Sequence, residues 1–313
     1  MAGLIPAFFM NTRVLKNDLL LLLASAIWGF AFVAQRVGME YIGPFIFNFL
    51  RFTLGSMVLI PILMINGKRK AGESKILSYE EKKIFLIGGA VAGVVLFLGS
   101  TCQQVGLVYT TAGKAGFITG LYVVIVPIMG MLWKDRPGLA TWVGAILSAS
   151  GLYLLSVTGK FTISPGDGLV LIGAFVWAAH VHIIGWLATR VDPIKVAYIQ
   201  FAVCALLSLI VSIFAESVTV EAIWDATIPI LYAGLISVGI AYTLQVVAQR
   251  EAPPSHAAII LSMEAVFAGI GGWLIIHENL SGRGLVGCGL MFAGMLMSQV
   301  SRKVRSDTSI HSL

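Results

Sequence analysis

Asp18 to Phe30 reads DLLLLLASAIWGF, and Asp167 to Ala179 reads DGLVLIGAFVWAA. Each opens on an aspartate, continues as an apolar run and carries a tryptophan, Trp28 or Trp177, at the same distance from it. An offset of 149 relates the two, and it also carries Leu20 onto Leu169, Leu22 onto Leu171, Pro44 onto Pro193 and Phe52 onto Phe201. Further along, the offset becomes 141, so that Gly93 meets Gly234 and Gln104 meets Gln245. Near the end of each copy it is 143, with Asp135 on Glu278, Gly144 on Gly287 and Gly151 on Gly294. Matched Asp, Trp, Pro and Gln are more than chance similarity between greasy helices would supply, so the chain reads as an internal repeat.

Composition decides the setting. The chain has 313 residues, of which 58% are hydrophobic and 12% charged, with a mean hydropathy of +0.92. A soluble domain is about 25% charged, so a soluble enzyme and a disordered chain are both excluded. Runs long enough to cross a bilayer, about 20 residues, lie near 18–37, 44–65, 84–107, 112–132, 138–157, 167–188, 193–214, 227–249, 256–276 and 282–300. The expected fold is therefore an all-α integral membrane protein of ten transmembrane helices. The runs are continuous and do not alternate, which selects helices over a barrel. The expected division is 1–17 as an N-terminal segment, 18–160 and 161–301 as two five-helix repeats, and 302–313 as a C-terminal tail. Five is odd, so the second copy crosses in the opposite sense. Inverted repeats of this kind build secondary transporters, with the site near the midplane between halves.

Charge sets the orientation. The net charge is +6, but the basic residues sit in short gaps between apolar runs and not on one face, which argues against nucleic acid. With the N-terminus in the cytoplasm, sixteen Lys and Arg fall inside and only Arg36, Lys114, Lys160 and Arg283 outside. Both termini are thus expected to be cytoplasmic. The loop 215–226, with Glu216, Glu221 and Asp225 and no base, agrees. Cys102, Cys204 and Cys288 lie inside apolar runs and read as small buried hydrophobes, with no disulfide framework.

Several motifs resemble those of the EamA family within the drug/metabolite transporter superfamily. They are Ala26-Ile27-Trp28-Gly29-Phe30, Arg51-Phe52, the stretch from Thr111 to Tyr122 ending in Val126-Pro127, and Ser262-Met263-Glu264-Ala265-Val266-Phe267 followed by His277-Glu278. Family members often have Pro after that glutamate, where this chain has Ala265. The resemblance covers roughly 18–301 and implies an exporter of amino acids or other metabolites; the repeat points to alternating access, and the simple inside-positive pattern to a bacterial inner membrane. The alternatives are a channel, a non-transporting scaffold or, further off, an intramembrane enzyme. The chain has no GxSxG or HExxH and no phosphate loop. No enzyme activity, cofactor or metal is expected. Expected partners are a small-molecule substrate and membrane lipid, not nucleic acid, with a homo-oligomer left open.

Ionisable residues within spans are costly and are functional candidates by default. Lys114 opens the fourth span, where free N–H groups and the helix dipole already favour anions. It is read as a contact for a carboxylate or phosphate, or as a snorkelling interfacial lysine. His256 lies one position from its repeat equivalent and reads as a solvated cap residue. Arg51 stays charged and needs a partner or a substrate anion. Glu264, about 12 Å into the ninth span by helical rise, is the candidate for proton coupling, for binding an amine or for bonding helices together. Gln104 and Gln245, with Gln103 and Asn48, bond helices or line a cavity. Trp28, Trp177 and Tyr122 are candidate cavity walls, the two tryptophans being too deep for an interfacial belt. His180 and His182 point to different helix faces and make no metal pair. Pro127 frees the Val123 carbonyl, which marks the fourth span, with its mate the ninth, as a moving or site-forming element.

Overall fold

The computed structural model describes residues 12–69, 79–110, 112–132, 137–156, 164–275 and 281–310. Thr111, the basic segment 70–78, Lys134, Asp135, Arg136, Lys160 and His277-Glu278 lie outside the described residues. No strand occurs among the described residues. The long helices are α1 (Thr12–Gly38), α2 (Pro44–Arg69), α3 (Glu81–Tyr109), α4 (Ala112–Leu132), α5 (Leu139–Ser156), α6 (Pro165–Ala188), α7 (Pro193–Ala215), α8 (Thr227–Ala248), α9 (Pro254–Ile275) and α10 (Gly282–Ile310). Eight of these are long and apolar enough to cross a membrane, while α5 and α10 carry shorter apolar stretches, Leu139–Leu155 and Gly282–Ser298.

Local chemistry sets the helix ends. Pro165 and Pro193 sit in the first turns of α6 and α7, where the missing N–H costs nothing. Ser164 and Asp167 form a reciprocal capping box on α6, and Asp192 caps α7. Glu216, read from sequence as a loop charge, caps another helix: its carboxylate accepts from Phe45 and Ile46 N–H at 2.9 and 2.8 Å, at the start of α2.

Large apolar side chains cover the outside, and polar ones are buried within an otherwise apolar core. Leu19, Leu98, Phe175, Leu206 and Phe214 are exposed, whereas Asn48, Arg51, Gln104, Gln200, Gln245 and Glu264 are buried. That arrangement suits hydrocarbon as the solvent, because apolar side chains lose nothing there and polar ones must find partners within the protein.

Packing is organised around two helix pairs, α2 with α7 and α5 with α10, flanking a central group of α1, α3, α4, α6, α8 and α9. Glycines let these backbones meet. A Cβ on Gly144 would lie 2.7 Å from the Gly294 carbonyl, and one on Gly151 would lie 2.4 Å from the Gly287 carbonyl. On Gly93 it would meet Val203 Cβ at 2.6 Å and the Gln200 carbonyl at 3.0 Å; on Gly234 it would meet Leu54 Cβ at 2.7 Å and the Arg51 carbonyl at 3.2 Å. These contacts come in pairs. The partners of Gly234, Arg51 and Leu54, lie 149 positions before Gln200 and Val203, the partners of Gly93.

Two pairs of helices depart from regularity. α4 is interrupted at Leu121, between Ala112–Gly120 and Tyr122–Leu132. α9 is interrupted at Ser262 and Met263, between Pro254–Leu261 and Glu264–Ile275. The break in α4 comes before Pro127, which stays inside the second segment. A π-helical stretch opens α3 at Ile84–Gly88, and a longer one fills the middle of α8 at Tyr232–Tyr242.

Candidate functional site

The interruptions in α4 and α9 and the π-helical part of α8 all border one cavity in the central group. Its lining includes Trp28, Phe32 and Gln35 from α1, Arg51 from α2, Gln103 from α3, Thr119 and Tyr122 from α4, and Trp177 and Val181 from α6. Ser237, Tyr242 and Gln245 from α8 and Leu261 and Glu264 from α9 complete it. Its volume is about 40 Å³, room for a few waters, so a metabolite fits only if side chains move.

Arg51 is 2% exposed and is the largest fully buried side chain. Its guanidinium carbon stands 4.8 Å from the Phe52 ring centre and 5.7 Å from that of Phe47, a cation–π arrangement. Its Nε and Nη2 have no hydrogen-bond partner. Glu264 is 4% exposed, opens the second segment of α9 and has no partner for Oε1. Tyr122 opens the second segment of α4, and its hydroxyl faces the Glu264 carboxyl group. No ion pair joins Arg51 to Glu264. Leaving buried polar atoms unmade costs about 1–3 kcal/mol each, more for charges.

Aromatic rings form the walls around Tyr242. Its ring centre lies 4.6 Å from Trp28, 6.0 Å from Trp177, 6.2 Å from Phe52 and 6.1 Å from Phe201. Neutral polar groups fix the other side. Trp177 Nε1 donates to Gln103 Oε1 at 3.1 Å, and Gln103 Nε2 donates to Gln35 Oε1 at 3.0 Å. Gln245 Nε2 donates to Gln249 Oε1 at 3.0 Å, and Gln249 Nε2 to the Val181 carbonyl at 2.9 Å.

Of the residues singled out from sequence, Trp28, Trp177, Arg51, Tyr122, Gln245 and Glu264 line the cavity. Gln104 does not: its Nε2 donates to the Gln35 carbonyl at 3.3 Å, and Gln103 beside it takes the cavity position. Lys114 also stands apart, its Nζ 3.6 Å from Asp167 Oδ2. His256 is buried and not solvated, because its Nε2 meets Asp18 Oδ1 at 2.9 Å and its Nδ1 meets Ser298 Oγ at 3.1 Å. His180 and His182 do face different neighbours, Gln200 and the Val126 carbonyl, each at 2.8 Å. The described residues hold no cluster of three or more His, Cys, Asp or Glu suited to a metal. Tyr242, Gln35, Thr119 and Ser237 escaped the sequence reading. A lone tyrosine deep in an apolar run was the available signal for the first.

Comparison with known proteins agrees with a membrane carrier. An uncharacterized transporter of Archaeoglobus fulgidus is 31% identical over 272 residues, covering 87% of this chain and 82% of the relative. The uncharacterized transporter YoaV of Bacillus subtilis is 23% identical, covering 87% and 92% respectively. A crystal structure shares the fold with a TM-score of 0.72 at 19% identity, over 92% of this chain and 98% of its own. The profile of the EamA-like transporter family matches twice, at residues 15–157 and 164–299. The chain is an integral membrane protein and belongs to the EamA-like transporter family.

Proposed function

We propose that this transporter carries a small zwitterionic metabolite, an amino acid or a close analogue, through the central cavity by alternating access. The observation that carries the reading is a cation, Arg51, and a carboxylate, Glu264, each with unpartnered atoms in one buried, aromatic-walled space. Arg51 orients the substrate carboxylate, for which a planar guanidinium is suited. Glu264 takes the ammonium group, and Trp28, Trp177 and Tyr242 enclose the side chain. Glu264 is also the candidate for exchanging a proton during the cycle, in the absence of an amine. Lys114, engaged with Asp167, takes no part in binding.

The paired glycine contacts, the twofold match of the family profile and the equivalent breaks in α4 and α9 support two five-helix halves of opposite orientation. Such halves exchange conformations, which moves the opening of the cavity from one face to the other. The reading includes ten crossings, both termini in the cytoplasm and export from the cell.

The test is a thermal-stability screen of the purified protein with amino acids, organic acids, sugar phosphates and amines. A ligand at 100 times its dissociation constant stabilises by about 2.7 kcal/mol. Amino acids are expected to stabilise the protein, and Arg51→Gln to remove the effect. Stabilisation by sugar phosphates alone, or a full effect in Arg51→Gln, overturns the assignment.

A further inference from the structure

Two buried or half-buried clusters outside the cavity join the halves, one at each end of the bundle. At one end, Asp18, six residues into α1, meets His256 near the start of α9, 2.9 Å apart, with Ser298 of α10 on the other ring nitrogen. At the other end, Asp167 at the start of α6 meets Lys114 at the start of α4, 3.6 Å apart. The ends are opposite because α1 runs from Asp18 past the cavity at Trp28 to Gln35, which contacts Gln103 of α3. α3 then continues to Thr110, whose hydroxyl donates to Asp167 at 2.5 Å.

The clusters correspond to within one position along the repeat. Asp18 and Asp167 are related by the offset of 149 that aligns α1 with α6. Lys114 and His256 are related by 142, between the offsets of the third and fifth helices, and the breaks at Leu121 and Ser262–Met263 agree with it. A polar contact from the preceding helix end lies beside each: Thr110, which closes α3, donates to Asp167, and Glu251, 141 positions later and following α8, accepts from Asn17 Nδ2 at 2.9 Å, next to Asp18. Each latch ties the first helix of one half to the fourth helix of the other. With both made, the space between them is only about 40 Å³.

We infer that Asp18–His256 and Asp167–Lys114 are mated latches that hold the two ends of the transport cavity shut, so that opening to either face requires release of one of them. The inference rests on the alternating-access reading. In this arrangement both contacts are made and the cavity between them is narrow. Lys114 thus acts on access to the site and not on the substrate. The buried Asp18–His256 hydrogen bond favours the closed form by roughly tenfold, enough to shift a two-state population, and the half-exposed Lys114–Asp167 ion pair by a smaller factor.

The test is labelling of a cavity cysteine, Thr119→Cys, in a chain whose Cys102, Cys204 and Cys288 are replaced by alanine. A membrane-impermeant maleimide is added to vesicles of either orientation, sorted with a reporter cysteine at Arg250. Asp18→Asn is expected to raise the labelling rate about tenfold from the end that carries the starts of α1 and α9, and Lys114→Gln by a smaller factor from the opposite end only. Lys114→Arg, which keeps the charge, should restore the original rate. Where Asp18→Asn does not fold, Ser298→Ala takes its place. Unchanged labelling in folded variants, or a rise from the same end in both, overturns the latches. Labelling of the parent from both ends as fast as that of the two variants would instead defeat alternating access itself.

Discussion

Arg51 is the residue on which the site turns. A buried cation with idle Nε and Nη2 costs stability until an anion arrives. Arg51→Met is therefore expected to raise the stability of the ligand-free protein, by on the order of 1 kcal/mol, while removing stabilisation by carboxylates. A thermal midpoint measured with and without ligand checks both halves of that statement. Glu264→Gln keeps the volume and removes the charge. Affinity for an amino acid should fall about tenfold or more while that for the matching acid without its amine is kept, as titration calorimetry would show. The sequence singled out these two residues because a charge in an apolar run is conspicuous. It could not single out Tyr242, whose counterpart at the 141 offset is Thr101, so the repeat gave no matched aromatic to notice. Gln103 and Gln104 are adjacent, and only the rotation of α3 against α1 and α6 decides which one reaches the cavity.

At the scale of elements, glycine placement governs how closely helices approach. Gly151→Val would drive a side chain into the Gly287 carbonyl, already 2.4 Å from an ideal Cβ. Overpacking of this kind costs typically about 1–3 kcal/mol, and unfolding in detergent should show it. Gly113 of α4 has nothing within 4 Å of its would-be Cβ, so Gly113→Ala should instead stabilise by about 0.5–1 kcal/mol. The apolar runs and their Gly and Pro punctuation placed most helix ends within a few residues of those observed, but α1 begins six residues before 18 and α10 runs ten past 300. They did not place the interruptions. Pro127 marks α4 as irregular, yet the helix breaks earlier, at Leu121, where Leu121 N–H bonds the Ile118 carbonyl. The π-helical stretch of α8 has no proline or marked composition at all. It is a response to packing, and it sets the register that turns both Ser237 and Tyr242 to the cavity.

For the whole molecule, a carrier that must occlude its substrate moves one molecule per cycle. Uptake into proteoliposomes is expected to saturate with substrate concentration and to accelerate when the lumen is preloaded with the same solute. Flux that rises linearly and ignores preloading would identify a channel. On the proposed reading the central cavity also needs to widen around its substrate, and the interrupted helices α4 and α9 are the elements proposed to do so.

By itself the sequence determined that this is a helical membrane protein with an internal repeat, and which residues are anomalous in an apolar setting. Those properties are local: run length, hydropathy and the offset between similar segments can all be read along the chain. Only the tertiary structure decided which anomalies belong together. Lys114 looks like an anion contact until α6 brings Asp167 to it, and His256 looks solvated until α1 brings Asp18 and α10 brings Ser298. Glu216 looks like a loop charge until it meets the start of α2. Each partner comes from a helix remote in sequence, and the crossing of helices that joins them depends on the packing of the whole bundle. No periodicity along one helix contains that information.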